Sequence, residues 1–494
     1  MRDSIPAFVR KKSLIYFLVC ASAIVSASPM HQHHSSPLQL RSSDSQLGRA
    51  FEWAKEQALS YVRDQDPVGP WYEAALPGRQ AFCMRDVSHQ AAGGEALGLS
   101  EHTYNMLHKF AENIAASRDW CTFWEMDRLN RPAPVDYESD QKFWYCLPAS
   151  FDVLDACYRM FLWTGDRRYI DDPAMLNFYR RTVSDYVAKW DLSPEAIMDR
   201  HVAIRGARGI PSYNEGDYGI TAGVDLLAAQ SAAYRSYASI LDARGDRTGA
   251  DHYRKEGAKV LRLIDSRWWN PTAQAFYGLL TTGHRLTLGA GSSLLYWDAI
   301  SVKTKLEVSV RQLAASSLAR GGGGVEELSY YPEILYRFGF VEEAYGQILD
   351  LAREGRPRRE YPEVSFAIIG AVARGLMGVN VEPAGGKNGR PVIRTLSGLG
   401  VHTAWAELEG LPVQGVTLTI RHDGGHSSAL KNLGSRPVLW RATFPGTFPG
   451  LSVNGKRRAA RHLVAPIRRP LTFVDIEVKP GESVHVEAGS TQVR

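Results

Sequence analysis

Between positions 47 and 378 apolar residues recur at spacings of three and four, whereas after Gly378 they alternate with polar residues at a spacing of two. The first period is one face of a helix and the second a half-buried strand. Phe151, Leu154, Tyr158 and Phe161 share one helical face, and that helix stops at Trp163-Thr164-Gly165-Asp166. The run from Gly219 to Ala243 repeats the pattern and stops at Arg244-Gly245-Asp246; a third helix reaches Gly339, and the next starts at Val341. Helices that end at glycine, each followed by one with an early tyrosine (Tyr169, Tyr253, Tyr345), read as stacked helical hairpins. About ten to twelve helices are expected, a number that suits a closed ring of hairpins better than a bundle. An α-solenoid would have repeats of more regular length.

Beyond Gly378, Val416, Leu418 and Ile420 alternate with Thr417 and Thr419, and Val474, Ile476 and Val478 with Asp475, Glu477 and Lys479. Val453-Asn454-Gly455-Lys456 and Pro480-Gly481 read as tight turns. The expected organisation is a helical catalytic domain over 47–378 and a C-terminal antiparallel β-sandwich over 379–494, joined by a Gly/Pro-containing linker near 383–391.

The first 27 residues have the layout of a secretory signal: basic Arg10, Lys11 and Lys12, an apolar run from Leu14 to Val25, and small residues at the cleavage point. The apolar run is shorter than the roughly 18 residues of a spanning helix, so export to the periplasm or medium, without stable membrane insertion, is expected. Residues 28–46, rich in Ser, His and Gln, read as a flexible segment. Loss of Arg2, Arg10, Lys11, Lys12 and Asp3 with the leader lowers the formal charge from +5 to +2. A balance so near zero argues against a nucleic-acid partner. Cys83, Cys121, Cys146 and Cys157 show no CxxC spacing, which argues against structural zinc. Both disulfides and free buried thiols stay open.

Five segments carry candidate chemistry. AFCMRDVSHQ, from Ala81, places Arg85 and Asp86 at a helix start, where Asp86 could cap the helix or accept sugar hydroxyls with Arg85 orienting it. The stretch Trp120–Trp144 mixes aromatics and acids, including Trp124, Glu125, Asp136 and Trp144; aromatic faces stack on pyranose rings while carboxylates take the hydroxyls. PSYNEGDYG, from Pro211, holds Glu215 and Asp217 between Tyr213 and Tyr218, a setting for a general acid. Glu326 and Glu327 follow a glycine run that has no P-loop Lys-Ser/Thr. RREYPEVSF sets Glu360 and Glu363 around Pro362, ahead of the last helix.

This arrangement resembles the six-hairpin glycosidase superfamily, the inverting (α/α)6-barrel hydrolases of the glucoamylase, trehalase and α-rhamnosidase type. The resemblance covers about residues 47–378. It implies a mainly α fold, an (α/α)6 toroid of helical hairpins with the C-terminal β-sandwich, and a carbohydrate substrate. Arg85-Asp86 is similar to the pair that grips the terminal sugar. Glu215-Gly216-Asp217 looks like the general-acid loop, although the pattern Glu-Ser-Gly-x-Asp is here Glu-Gly-Asp. Glu360 and Glu363 fall where such enzymes keep the base. The implied mechanism is a single displacement, with Asp217 or Glu215 donating a proton and Glu363 or Glu360 activating water. It uses no metal or cofactor. Glu326 and Glu327 are further candidates for the base or for sugar contacts.

Two other classes remain. A polysaccharide lyase would need Tyr213, His201 or Arg205 for proton abstraction and uronate neutralisation. A non-catalytic carbohydrate-binding protein would keep Trp124 and Trp144 without opposed acids. An epimerase would call for paired histidines, and His89 and His201 have no evident partners.

Overall fold

The computed structural model describes residues 34–200, 208–215, 219–317, 324–383, 390–465, 467 and 470–489. Among the described residues the main helices begin, in chain order, with α1 Ser45–Ser60, α2 Met84–Ala96, α3 Ser100–Glu112, α4 Pro148–Thr164, α5 Pro173–Arg181 and α6 Val224–Ala243. The second half continues with α7 Arg247–Arg267 and α8 Ser293–Tyr296, α9 Lys303–Ser317 and α10 Tyr331–Phe338, α11 Val341–Leu351 and α12 Pro362–Ala371. Their starts are written locally. Asp44 and Asp172 cap α1 and α5 through backbone N–H groups, and α4, α5, α10 and α12 open with proline, whose missing N–H costs nothing there.

Burial sorts the helices into two layers. Every residue of α12 is buried, and every residue of α2 except Arg85, whereas α7 buries only a narrow stripe of its charged surface. A helix that is buried all round has to sit inside, and an amphipathic one outside. Accordingly α2 packs against α12 and α4, α4 against α6, α6 against α8, and α10 against α12. Arg337 of α10 joins it to α8 by donating to the carbonyls of Leu295 (3.2 Å) and Tyr296 (3.0 Å). The outer helices α1, α3, α7 and α11 lie on α12, α2, α6 and α10.

Helices α2 and α12 approach most closely at Gly93, where an added Cβ would stand 2.2 Å from the Phe366 carbonyl oxygen. Gly93→Ala is therefore expected to cost at least about 1–3 kcal/mol through overpacking. Urea denaturation checks this, and an unchanged midpoint would mean that the helices have room to separate.

The β portion holds β1 Gln39–Ser42, β2 Asn380–Glu382, β3 Val392–Leu396, β4 Trp405–Val413, β5 Val416–Asp423, β6 Ser427–Asn432, β7 Val438–Pro445, β8 Gly450–Val453, β9 Lys456–Ala459, β10 Arg461–Val464, β11 Pro470–Val478 and β12 Ser483–Ala488. One sheet runs β1-β4-β5-β6-β12-β8-β9 and the other β2-β3-β7-β11-β10. In β5, Val416, Leu418, Ile420 and His422 are buried while their neighbours are not, which is the expected period of two. Asn454 and Gly455 both take positive φ in the β8–β9 turn. The β part is anchored to α4 where the Trp163 indole donates to the Pro412 carbonyl (2.9 Å) and Gln414 N–H to that of Trp163 (2.7 Å).

Four features differ from the sequence expectation. Residues expected in the flexible segment 28–46 include β1, which pairs with β4 because Leu38 and Leu40 bury their side chains in the common core. Ile220–Gly223 is a strand, so the helix expected from Gly219 starts at Val224. That strand joins Ala275–Thr281, with Trp269–Asn270 and Leu286–Leu288 beside it, in a sheet within the helical region. The C-terminal sheets are antiparallel except for the parallel pair β3–β7. Cys83, Cys121, Cys146 and Cys157 are all free and buried. Among the described residues no helix is long and apolar enough to cross a membrane.

Candidate functional site

Asp152 lies one turn into α4, while the N-terminal turns of α2, α6 and α12 carry Arg85 and Asp86, Asp225, and Glu363. Unsatisfied backbone N–H groups and the helix dipole favour carboxylates at such positions. Asp86 does not cap α2. Its Oδ1 accepts from Arg85 Nε (3.1 Å) and its Oδ2 from Tyr361 Oη (3.2 Å). Arg85 Nη1 donates to Glu215 Oε1 (3.0 Å), so one guanidinium ties the helix start to the 211–215 loop. Asp225 secures that loop from the other side, accepting from Ser212 Oγ (3.1 Å) and Tyr213 N–H (2.6 Å).

Glu363 is fully buried, with Oε1 2.6 Å from His89 Nδ1, and its Oε2 makes no hydrogen bond. The His89 ring stacks on Tyr330 at 3.6 Å, only 5° from parallel, and Tyr296 meets both rings edge-on. Tyr213 lies beside Trp297, with Arg85 over its face, and its hydroxyl donates to Asp152 Oδ2 (3.1 Å). Arg85, Tyr213, Trp297, Tyr330, Glu326 and Glu327 border a cavity of about 360 Å³, within the range of small-molecule sites.

Burial dominates the electrostatics. It pushes Asp86 up to about 6, with Arg85 pulling down and Glu363 pushing up. Asp152 is raised to about 7, again mainly by burial. Glu215 is raised by burial and by Asp86 and Asp136, against the pull of Arg85. A separate pair stands behind the loop: Glu125 bonds Arg79 (2.6 Å) and is pushed up to about 9, by burial first and then by Asp136. Such a pair of carboxylates holds a shared proton near neutral pH.

The structure thus gathers Arg85, Asp86, Glu215, Glu363 and Tyr213, with Glu326 and Glu327 on the cavity wall. Glu326 is engaged by Arg358 (2.6 Å), and Glu327 accepts from Tyr331 Oη (3.2 Å). Asp217, His201 and Arg205 lie outside the described residues. Glu360 is corrected: it is exposed, and its carbonyl accepts from Tyr61 Oη. Pro362 starts α12 between it and Glu363, so the two acids leave in different directions. Trp124 is buried against Tyr145 and Tyr213, a support for Tyr213 rather than an open stacking face. Trp144 is half-buried, and its ring meets none of the site's aromatic rings among the described residues. Asp136 acts on the site through its charge on Glu215, and Glu125 acts on Asp136.

His89 and Asp152 were not among the candidates. The signal for His89 is its place one turn after Arg85 and Asp86 on the same helix face; for Asp152 it is an acid between the apolar residues Phe151 and Val153. Tyr213→Phe removes the hydrogen bond to buried Asp152 and is expected to cost about 1–3 kcal/mol, read as a lowered thermal midpoint. An unchanged midpoint would show that this bond contributes nothing.

No known family profile matches the sequence, and no curated protein does. Solved structures do. An α-L-rhamnosidase from Dictyoglumus thermophilum aligns with a TM-score of 0.58 at 13% identity, over 92% of this chain and 50% of that one. A GH78 family rhamnosidase of Bacillus sp. GL1 gives 0.54 at 14% identity, over 80% and 40%. A kojibiose phosphorylase from the human microbiome, itself described as putative, gives 0.50 at 10%, over 90% and 63%. The chain spans about half the length of the first of these proteins. At such identities the likeness concerns the fold alone, a set of helices joined to largely antiparallel sheets as in these structures.

Proposed function

We propose that the protein is a glycoside hydrolase acting on oligo- or polysaccharides by inversion, its six helix pairs forming an (α/α)6 toroid. The observation that carries the reading is the meeting of Arg85, Asp86, Glu215 and Glu363 at the helix starts beside an aromatic-walled cavity. In this reading Asp86, oriented by Arg85 and Tyr361, accepts sugar hydroxyls. Tyr213 and Trp297 offer apolar faces to the ring.

Glu363 is the base. His89 Nδ1, 2.6 Å from its Oε1, holds the carboxylate in place. Its second oxygen is left to take a proton from the attacking water. The acid comes from the 211–218 loop, Asp217 or Glu215; the raised pKa of Glu215 suits a proton donor. Inversion requires acid and base about 6.5–9.5 Å apart, with water between them. The leader-like first 27 residues support action outside the cytoplasm.

Purified protein should hydrolyse members of a panel of aryl glycosides and polysaccharides. Aryl α-L-rhamnosides come first, given the rhamnosidases among its structural neighbours. NMR of the first-formed anomer should show inversion. A retained anomer would remove the single-displacement mechanism. Product absorbing near 230 nm would instead indicate elimination.

A further inference from the structure

A second cavity, about 720 Å³, lies towards the C-terminal ends of α4, α6 and α10, where residues of strands β2, β3 and β10 complete its wall. Tyr296 and Trp297 border both this cavity and the one at the helix starts. Its volume is within the range of sites for small organic ligands.

Its described lining carries five arginines against four carboxylates. The carboxylates are all taken: Asp155 by Arg159 (2.9 Å), Asp298 by Arg337 (3.0 Å), Glu333 by Arg374 (3.1 Å), and Glu382 by Arg394 (3.4 Å) and Arg441. Arg235 has no carboxylate partner among the described residues. Its Nη1 donates to Ser231 Oγ (3.1 Å) and its Nη2 to the Trp297 carbonyl (2.5 Å). Burial pushes its pKa down against the charges of Asp155 and Asp298, as it does that of Arg394, whose Nε faces Glu382 at 3.4 Å without a hydrogen bond. The described lining thus carries one more cation than carboxylate, and an anion entering from solvent offsets that excess. The planar guanidinium fork matches a carboxylate or a phosphate. Tyr158 and Tyr336 add aromatic surface to the wall.

We propose that this cavity is a second ligand site, taking a sugar-sized molecule that bears an oxyanion, with Arg235 and Arg394 as the anion's donors. The occupant also acts on the first cavity, because Arg235 holds the carbonyl of Trp297 and Arg337 that of Tyr296. The proposal stands apart from the glycosidase reading, since it uses none of the carboxylates assigned there.

The test is calorimetric titration of the purified full chain with glucuronate, glucose 6-phosphate, inorganic phosphate and, as neutral control, glucose. At least one anion is expected to bind with Kd below about 1 mM, more tightly than glucose. Arg235→Gln and Arg394→Gln should each weaken it tenfold or more, while Arg85→Gln, at the other cavity, leaves it unchanged. Binding of glucuronate alone assigns a carboxylate, and binding of the two phosphates alone assigns a phosphate. Circular dichroism checks each variant's fold, and Arg235→Lys, which keeps the charge but not the fork, stands in if Arg235→Gln does not fold. No heat from any anion up to about 10 mM, equal affinity for glucose, equal affinity in all the proteins, or loss only in Arg85→Gln would overturn the proposal.

Discussion

Glu363→Gln is expected to lower kcat by about 10²–10⁴-fold, the usual contribution of a positioned general base. The amide has the carboxylate's shape and its oxygen can still accept from His89 Nδ1, so the fully buried side chain keeps its place and the thermal midpoint should move little. What the amide lacks is basicity towards water. Because the loss belongs to the chemical step, KM should stay close to that of the wild type, whereas a merely structural role would lower stability and activity together. Asp217→Asn is expected to give a comparable loss, restored in part on substrates whose leaving group needs no proton. If both variants turned over within tenfold of wild type, another pair of acids would have to do the work. Glu215 would then be the first replacement for the acid.

Arg85→Gln should have the second largest effect, on both stability and catalysis. The guanidinium is mostly buried between Asp86 and Glu215, and removing one member of such a group leaves the others uncompensated, at a cost of about 3–5 kcal/mol. It also holds the Asp86 pKa down, against burial and the charge of Glu363. In the wild type Asp86 loses its proton near pH 6 and is then able to accept sugar hydroxyls, so activity should fall as pH drops through that value. Without Arg85 the Asp86 pKa rises further, and the acid limb of the kcat/KM profile should move to higher pH. A profile with the same acid limb in both proteins would mean that Asp86 ionisation does not govern binding.

Much of the architecture could be read from local pattern. Helix starts follow from Asp44, Asp172 and the prolines at 148, 173, 332 and 362, and β5 and β11 from strict alternation. These are preferences of neighbouring residues and survive in the chain whatever it packs against. The Ala275–Thr281 strand also alternates in burial, but it is short and lies in a helical context, and its pairing partner Ile220–Gly223 is more than fifty residues earlier. Edge strand β1 is harder still, since its partner β4 lies more than three hundred residues away.

The site divides in the same way. The candidate segments of the proposed site could be picked out from the sequence alone, because acids, arginine and aromatics crowd the helix starts at 81–90, 211–219 and 358–366. Only the tertiary structure decided which side chains meet. Packing of α2 against α12 joins His89 to Glu363 across 274 positions, Arg85 reaches Glu215 across 130, and Glu360 is left in solvent. A helix start offers several acids at adjacent positions, and which of them faces inward depends on a rotation of about 100° per residue against neighbours that the local sequence does not contain.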